Sequence, residues 1–233
     1  HDKNVATHMS NVSTMLVAFA YHIGVRNHQF LSQLGTAGFL HDIGKLLIQR
    51  DIMCFDDAST RKDHVTTAVE HLKENTETDP DIVEMIYHHH EKMDGSGYPQ
   101  KLKGDAISIA SRMLTVVDTF DNLTSERPYR PQPLTATQAL QEIRKLTPHY
   151  LDEKVVDAFV NFIQITLQGC RIEEDRHARK YIIQKLCLGY NKTFNPSGRI
   201  YQRYYFRSTA ELRTMTRDGE EWKFGEKAEV TVY

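Results

Sequence analysis

A run of three histidines followed by a glycine-rich stretch constrains this chain more than any other feature. Residues 88–99 read His-His-His-Glu-Lys-Met-Asp-Gly-Ser-Gly-Tyr-Pro, and the pair His41-Asp42 lies upstream. Adjacent His-His and His-Asp pairs are poor core residues and good metal ligands. A polar cluster of this density costs folding free energy unless its groups are paired or coordinated. The sequence therefore predicts a site that holds more than one metal ion, and such a site indicates hydrolysis.

The composition is that of a globular protein with one main core. The chain has 233 residues, of which 40% are hydrophobic and 26% are charged, and this length supports one core or one domain with a small appendage. The net charge of −2 gives no signal for nucleic acid, so we expect no DNA partner. The 3 cysteines are scattered and odd in number, which favours reduced thiols and a cytoplasmic location.

The ends of the chain suggest a fragment. No apolar run reaches the length of a membrane span, so we expect no membrane segment within this chain. The first residue is His1 and not Met, and a helix-like pattern is already in progress there. This leaves room for an upstream sensory or regulatory domain, and it leaves the oligomeric state, including a homodimer, open.

Hydrophobic periodicity predicts a mainly α fold. Apolar residues recur at helical spacing through most of the chain. The predicted helices cover residues 4–24, 30–40, 63–74, 80–90, 107–123, 135–146 and 152–168. After residue 190 the pattern alternates, and Asp218-Gly219 is a hairpin signal between predicted strands at 199–207, 211–215 and 227–233. We therefore predict a helical bundle over residues 1–170, a connecting helix over 171–190 and a small β unit over 191–233.

Seven side chains in the helical part are candidate metal ligands. They are His8, His41, Asp42, His64, His89, His90 and Asp118. Imidazole and carboxylate suit iron, manganese, zinc and similar divalent ions, and the lack of a thiolate in the set argues against a structural zinc site. Adjacent residues of a helix point about 100° apart, so His89 and His90 would reach different ions.

Two further features of the set point to phosphate chemistry. Asp42 is the natural bridge between ions, because one carboxylate can bind two cations with its two oxygens. Two bound cations would clamp a phosphate and acidify a bridging water. Lys45 lies one turn beyond His41, and its ammonium would face phosphate oxygens as charge develops on them. Asp121, three residues after Asp118, lies on the same helix face and could orient a ligand or the water. Any one of these residues, taken alone, is more often an ordinary surface side chain.

The motifs resemble those of the HD-GYP domain, a subfamily of the HD phosphohydrolase superfamily. His41-Asp42-Ile-Gly-Lys45 is similar to its His-Asp motif, residues 89–99 are similar to its second motif, and residues 118–130 are similar to its third. The resemblance covers about residues 4–165. It implies an all-α domain of stacked helices around two or three metal ions, often iron, and hydrolysis of the 3′–5′ phosphodiester bonds of cyclic di-GMP.

The resemblance also implies a role for each matching residue. The seven candidates become the metal ligands, with Asp42 bridging, and the catalytic residues become Asp42, Lys45 and Asp121. The residues implied in substrate binding are Tyr98, Gly95, Gly97, Arg127 and Arg130. Tyr98 and the two guanidinium groups would meet phosphates or guanine, and the glycines would let the loop turn tightly.

One departure from the family bears on the number of ions. Some family members carry a Glu four residues before the first His and hold a third metal; here that residue is Asn4. We therefore expect two tightly held divalent ions, iron or manganese, with any third ion weak or absent, and linear pGpG as the main product.

Other functions stay open at this stage. One is a hydrolase that acts on another cyclic dinucleotide, and another is a catalytically weak receptor that binds cyclic di-GMP. A di-iron oxygenase is disfavoured by Gly97-Tyr98-Pro99 and by the arginine pair. A substrate panel separates the hydrolases, and tight binding without turnover would indicate the receptor.

Overall fold

The structure is a computed structural model, and it describes a helical bundle followed along the chain by a short sheet. The described residues are 2–48, 60–126, 132–167, 182, 183, 186, 203–207, 211–218 and 221–227, with side chains at 5–48, 63–126, 132–167, 182, 183 and 186. In these ranges the helices are α1 (Asp2–His22), α2 (His28–Leu40), α3 (Ile43–Ile48), α4 (Thr60–Asn75), α5 (Pro80–His88), α6 (Ile109–Thr124), α7 (Ala136–Lys145) and α8 (Glu153–Leu167). A 3₁₀ turn at Gly104–Ala106 precedes α6. None of the described helices is both long and apolar enough to cross a membrane.

Polar side chains explain where four of these helices begin. Asn27, Asp79 and Ser108 each accept a backbone N–H from the first turn of α2, α5 and α6. Thr135 caps α7, and Gln138 returns a hydrogen bond to the Thr135 backbone, which completes a capping box. Such caps stabilise a helix start by about 1 kcal/mol each. The boundaries therefore follow from local sequence, and the predicted helical fold is confirmed.

The core is one continuous cluster of apolar side chains between the helices. Phe19, Phe120 and Phe159 are fully buried within it. The Phe159 ring lies edge-on to the other two, with centroids 5.2 Å from Phe19 and 5.3 Å from Phe120. Aromatic pairs of this kind contribute about 0.5–1.5 kcal/mol beyond burial. They hold α1, α6 and α8 together, and two of these helices carry candidate ligands.

An ion pair joins α6 to the start of α8. Arg112 donates from Nη1 to Asp152 Oδ2 at 2.8 Å. The other oxygen of Asp152 accepts the N–H groups of Lys154 and Val155, at 2.9 and 3.1 Å. Asp152 therefore caps α8 and at the same time ties it to the helix that carries Asp118.

The short helix α3 was not predicted from the sequence. Helix α2 ends at Leu40, and α3 begins directly after His41-Asp42. A Cβ at Gly44 would lie 1.9 Å from the carbonyl oxygen of His64, so the backbone of α3 touches that of α4 at this point. Only glycine fits there. This contact with a distant segment has no signal in the local sequence.

Three strands form an antiparallel sheet in the order β1-β2-β3. They are β1 (Arg203–Arg207), β2 (Glu211–Asp218) and β3 (Glu221–Lys227). Asp218 at the end of β2 pairs with Glu221 at the start of β3, and a hairpin was predicted here. Strand β3 was not predicted. The strand predicted at 227–233 lies outside the described residues except for Lys227. The connecting helix at 171–190 lies almost entirely outside them too, so it and the domain boundaries stay predictions.

Candidate metal centre

Two groups of histidine and aspartate side chains meet inside the helical bundle. One group contains Asp42, His64, His89 and His90, and the other contains His8, His41 and Asp118. Within each group, one ligand atom from every residue lies within 4.8 Å of the others. Six of the seven residues are buried and His90 is half-buried. The structure therefore brings together the seven residues that the sequence suggested as ligands.

Asp42 lies between the two groups and turns one oxygen toward each. Its Oδ2 lies 3.5 Å from His8 Nε2 and 3.6 Å from His41 Nε2. Its Oδ1 lies 3.5 Å from His64 Nε2 and 3.9 Å from His89 Nε2. A carboxylate placed in this way can share two cations, one in each group.

Backbone carbonyls orient two of the histidines. His41 donates from Nδ1 to the Gly38 carbonyl at 2.8 Å, and His89 donates from Nδ1 to the Ile86 carbonyl at 2.7 Å. Both hydrogen bonds are made within the last turn of the preceding helix. They place the proton on Nδ1 and leave Nε2 facing the centre, which is how proteins commonly fix the tautomer of a metal-binding imidazole.

A carboxylate orients the imidazole ring of His8 in the same way. Its Nδ1 lies 2.7 Å from Asp121 Oδ2, while its Nε2 lies 3.0 Å from Asp118 Oδ1. Ser125 donates to Asp121 Oδ2 at 3.1 Å and helps to hold that carboxylate. Asp121 was expected to orient either a ligand or the water, and its contact with His8 supports the first of these roles.

The surroundings set the charges of Asp42, His89 and His90. Burial by itself would raise the pKa of Asp42, but Lys45, His41 and His8 hold that pKa well below its ordinary value. Burial lowers the pKa of His90 to about 3 and also depresses the pKa of His89, helped by the neighbouring histidines. Asp42 is therefore a carboxylate and His89 and His90 are neutral imidazoles, the states in which these side chains bind metal.

Two other ligands form a charged pair. Burial acts to lower the pKa of His8, yet hydrogen bonds to Asp118 and Asp121 raise it to about 9. Burial acts to raise the pKa of Asp118, but its hydrogen bonds with His41 and His8 bring that pKa well below the ordinary value. Binding of a cation at this group would release the proton of His8.

Two buried atoms show that the residues fit a metal ion. Asp42 Oδ1 and His89 Nε2 have no hydrogen-bond partner among the described residues. They lie 3.9 Å apart, too far for a hydrogen bond with one another. A buried polar atom without a partner costs about 1–3 kcal/mol. A shared divalent cation would satisfy both atoms, and a donor set of imidazole and carboxylate suits such an ion.

Lys45 lies at the edge of the centre and pairs with Asp42. Its Nζ donates to Asp42 Oδ2 at 2.6 Å, and its side chain is 32% exposed. The ammonium thus lies where the buried ligands meet solvent. This is a position from which it can reach an incoming anion.

The glycine-rich loop after α5 brings Tyr98 against the centre. The centroid of the Tyr98 ring lies 4.8 Å from that of His90, with the planes tilted by 33°. Gly95 has a φ of +81°, a conformation in which glycine carries no Cβ penalty. A Cβ on Gly97 would lie 2.5 Å from the Cα of Glu91, so glycine is required there as well.

Some predicted residues are not placed by the structure, and others were missed. Arg127 and Arg130 lie outside the described residues, and the Asn4 side chain lies outside the described side chains. Thr115 was not predicted, although its hydroxyl donates to the His89 carbonyl at 2.8 Å. A threonine inside a helix carries no signal for such a contact.

Comparisons with known proteins place this site in a family. Residues 4–155 match the family model described as the HD domain. A cyclic di-GMP phosphodiesterase of Pseudomonas aeruginosa is 30% identical over 183 residues, which are 75% of this chain and 44% of the relative. A 3′3′-cGAMP-specific phosphodiesterase 3 of Vibrio cholerae is 37% identical over 115 residues, 47% of this chain and 25% of the relative. This chain therefore spans less than half the length of either relative.

A solved structure shows the same fold. An HDG"Y"P protein from Bdellovibrio bacteriovorus superposes with a TM-score of 0.58 at 18% identity, covering 70% of this chain and 53% of that one. Because the family model covers well over half of the sequence, the chain belongs to the HD domain family. This confirms the resemblance drawn from the motifs.

Proposed function

We propose that this chain is a metal-dependent phosphodiesterase that hydrolyses cyclic di-GMP, mainly to linear pGpG. The observation that carries the proposal is the position of Asp42, whose two oxygens face two separate groups of buried ligands. Such a geometry suits a pair of cations that together bind one phosphate. The relatives named as cyclic dinucleotide phosphodiesterases support the substrate class.

The ligand groups define how each ion would be held. Asp42, His64, His89 and His90 would hold one ion, and His8, His41 and Asp118 would hold the other, with Asp42 shared. The donor set suits several divalent ions, and we propose iron or manganese. When bound, two such ions supply Lewis acidity and a hydroxide nucleophile at neutral pH.

The remaining side chains would act on the substrate or on the ligands. Lys45 would face the phosphate and stabilise the negative charge that develops on it. Asp121 would keep Nε2 of His8 directed at the centre through its hydrogen bond to Nδ1. Tyr98 would line the pocket beside His90, and Arg127 and Arg130 stay predicted contacts of the dinucleotide.

The product follows from the number of ions. Asn4 replaces a Glu that would help to hold a third ion, and a neutral amide is a poor bridge between cations. Two ions suffice to cut the first phosphodiester. Linear pGpG carries an additional terminal charge that a third cation would help to bind, so we expect it to accumulate.

A second candidate substrate is 3′3′-cGAMP. The Vibrio cholerae relative specific for this substrate is 37% identical to the chain over 115 residues. In either substrate, the two groups of ligands would contact only a phosphate. The choice of base therefore depends on the loop around Tyr98 and on the arginine pair. A catalytically weak receptor is the alternative without turnover.

Assembly and regulation stay predictions. A homodimer and an upstream sensory or regulatory domain stay open possibilities. The chain spans 44% of the Pseudomonas aeruginosa relative. Residues 191–233 stay a β unit without an assigned role.

A substrate panel tests the proposal. The purified chain, loaded with iron or manganese, is given cyclic di-GMP, 3′3′-cGAMP and pGpG, and the products are separated by chromatography. We expect cleavage of cyclic di-GMP to pGpG, its loss in Asp42→Ala, and its retention in Asp157→Ala, which removes an exposed carboxylate from α8. Faster cleavage of 3′3′-cGAMP would favour the second substrate, and tight binding without cleavage would favour the receptor.

A further inference from the structure

Glu91 is a buried carboxylate directly after the ligand pair, and the proposed ligand set does not include it. The residue is 2% exposed. Its Oε1 accepts the N–H of Gln100 at 2.6 Å and its Oε2 accepts the N–H of Leu102 at 3.0 Å. Burial of a carboxylate is costly unless its oxygens are hydrogen-bonded, and such charge-assisted bonds are of the stronger kind. The side chain therefore anchors the far end of the glycine-rich loop.

The near end of the loop lies against the backbone of the same residue. A Cβ at Gly97 would lie 2.5 Å from Glu91 Cα, so the two backbones are in direct contact. The next residue, Tyr98, donates its N–H to the His90 carbonyl at 3.2 Å. The Glu91 side chain thus holds the far end of the loop, while backbone contacts with His90 and Glu91 hold the near end. Tyr98 lies between these two points with its ring against His90.

His89, the candidate ligand two residues before Glu91, is held by contacts outside the loop. His89 donates to the Ile86 carbonyl at 2.7 Å, and its own carbonyl accepts the Thr115 hydroxyl at 2.8 Å. Both partners belong to helices. A loosened loop should therefore displace Tyr98 and leave the ions bound.

We propose that Glu91 is a positioning residue that sets the affinity for a cyclic dinucleotide through Tyr98, without a part in holding the ions. This inference rests on the proposed function. Glu91 acts on the substrate only by way of the loop, so its effect should appear in KM and should require the Tyr98 ring.

The test is Glu91→Gln, which keeps the shape of the side chain and replaces one acceptor oxygen by a donor. We expect KM to rise about ten-fold while kcat stays within about two-fold and metal content is unchanged, the pattern of lost ground-state binding. Glu84→Gln is the matched control, because Glu84 lies on α5 with a side chain that is 47% exposed. If Glu91→Gln does not fold, Glu91→Asp replaces it, with the same expectations for KM, kcat and metal. Loss of metal, an equal fall in kcat, or an unchanged KM would overturn the inference.

A double-mutant cycle excludes a merely structural role. In a Tyr98→Ala background, Glu91→Gln should change KM by less than about two-fold, because residues that act as one unit are not additive. If the KM increases caused by Glu91→Gln and by Tyr98→Ala multiply in the double variant, the inference is overturned.

Amide hydrogen exchange separates this inference from the proposed function. If the unmodified chain cleaves no cyclic dinucleotide, the proposed function fails. The inference is then decided by the N–H groups of Gln100, Leu102 and Tyr98. Faster exchange at all three in Glu91→Gln, but not in Glu84→Gln, supports the anchor. Unchanged exchange overturns it.

Discussion

Gly44→Ala is expected to dismantle half of the metal centre without altering a ligand. The Cβ of alanine at this position would lie 1.9 Å from the His64 carbonyl oxygen and 3.1 Å from the Ala68 nitrogen. Both are backbone atoms of α4, so no side-chain rotation relieves the clash. Helices α3 and α4 must move apart. Asp42 directly precedes α3 and His64 lies on α4, so the Asp42–His64 contact should widen with them.

The size of the movement follows from the clash. Ordinary contacts of a Cβ begin near 3.4 Å, so the 1.9 Å approach requires a separation of about 1.5 Å. Metal sites tolerate deviations of about 0.2 Å in ligand distance, so His64 should no longer reach an ion shared with Asp42. A misplacement of about 1 Å can cost about 10²-fold in rate, and overpacking costs about 1–3 kcal/mol of stability.

Metal analysis, kinetics and thermal unfolding together test this prediction. Gly44→Ala should fold, bind fewer ions per chain and turn over cyclic di-GMP at least about 10²-fold more slowly. Gly35→Ala is the matched control, because its Cβ would meet only the side chains of Val17 and Ser13, at 3.1 and 3.8 Å. Gly44→Ala protein with a full metal load and normal kcat would refute the reasoning.

Four further predictions address the charges and the domain boundary. Asp42→Ala should lose both turnover and bound metal, because two cations would then repel one another without a shared anion. Lys45→Ala should lower kcat about 10²-fold or more at unchanged metal content. Elemental analysis with kinetics checks both variants, and a raised KM alone would assign Lys45 to substrate binding. Partial burial acts to raise the pKa of Asp152, but hydrogen bonds from Arg112 and the Val155 N–H lower it. The ionised Asp152 should therefore stabilise the fold fully above the unfolded-state pKa of about 3.9, and this effect should fade as pH falls further. The free energies of unfolding of Asp152→Asn and the unmodified chain, measured with denaturant, should thus differ at pH 7 and become equal in acid. Removal of residues 191–233 should leave metal binding intact, and loss of both metal and fold would place the β unit in the core.

The ligands could be predicted because their signal is local. His41-Asp42 and His89-His90 are adjacent pairs, and each follows a helix whose apolar period is clear. Residue type and spacing marked these two pairs. His8, His64 and Asp118 were candidates supported by the family resemblance, and the structure brings them together with the pairs. The helix boundaries followed from caps such as Thr135 with Gln138.

The missed features depend on contacts between distant segments. His8 and Asp121 are 113 residues apart, and only the packing of α1 on α6 shows that this aspartate faces the imidazole. Helix α3 has 6 residues, too few for periodicity, and exists where Gly44 lets it approach α4. Glu91 belonged to a recognised motif, but its partners are backbone N–H groups, which every residue except proline carries.

A metal titration of the apoprotein with cyclic di-GMP turnover as the readout tests the central claim most directly. Iron or manganese is added stepwise to metal-free chain, and bound metal and pGpG formation are measured at each step. Because Asp42 is placed to join two ions, the rate should stay low through the first bound equivalent, rise with the second and then level off. A rate that reaches its maximum at one equivalent, or a fully loaded protein that forms no pGpG, would contradict a two-metal phosphodiesterase.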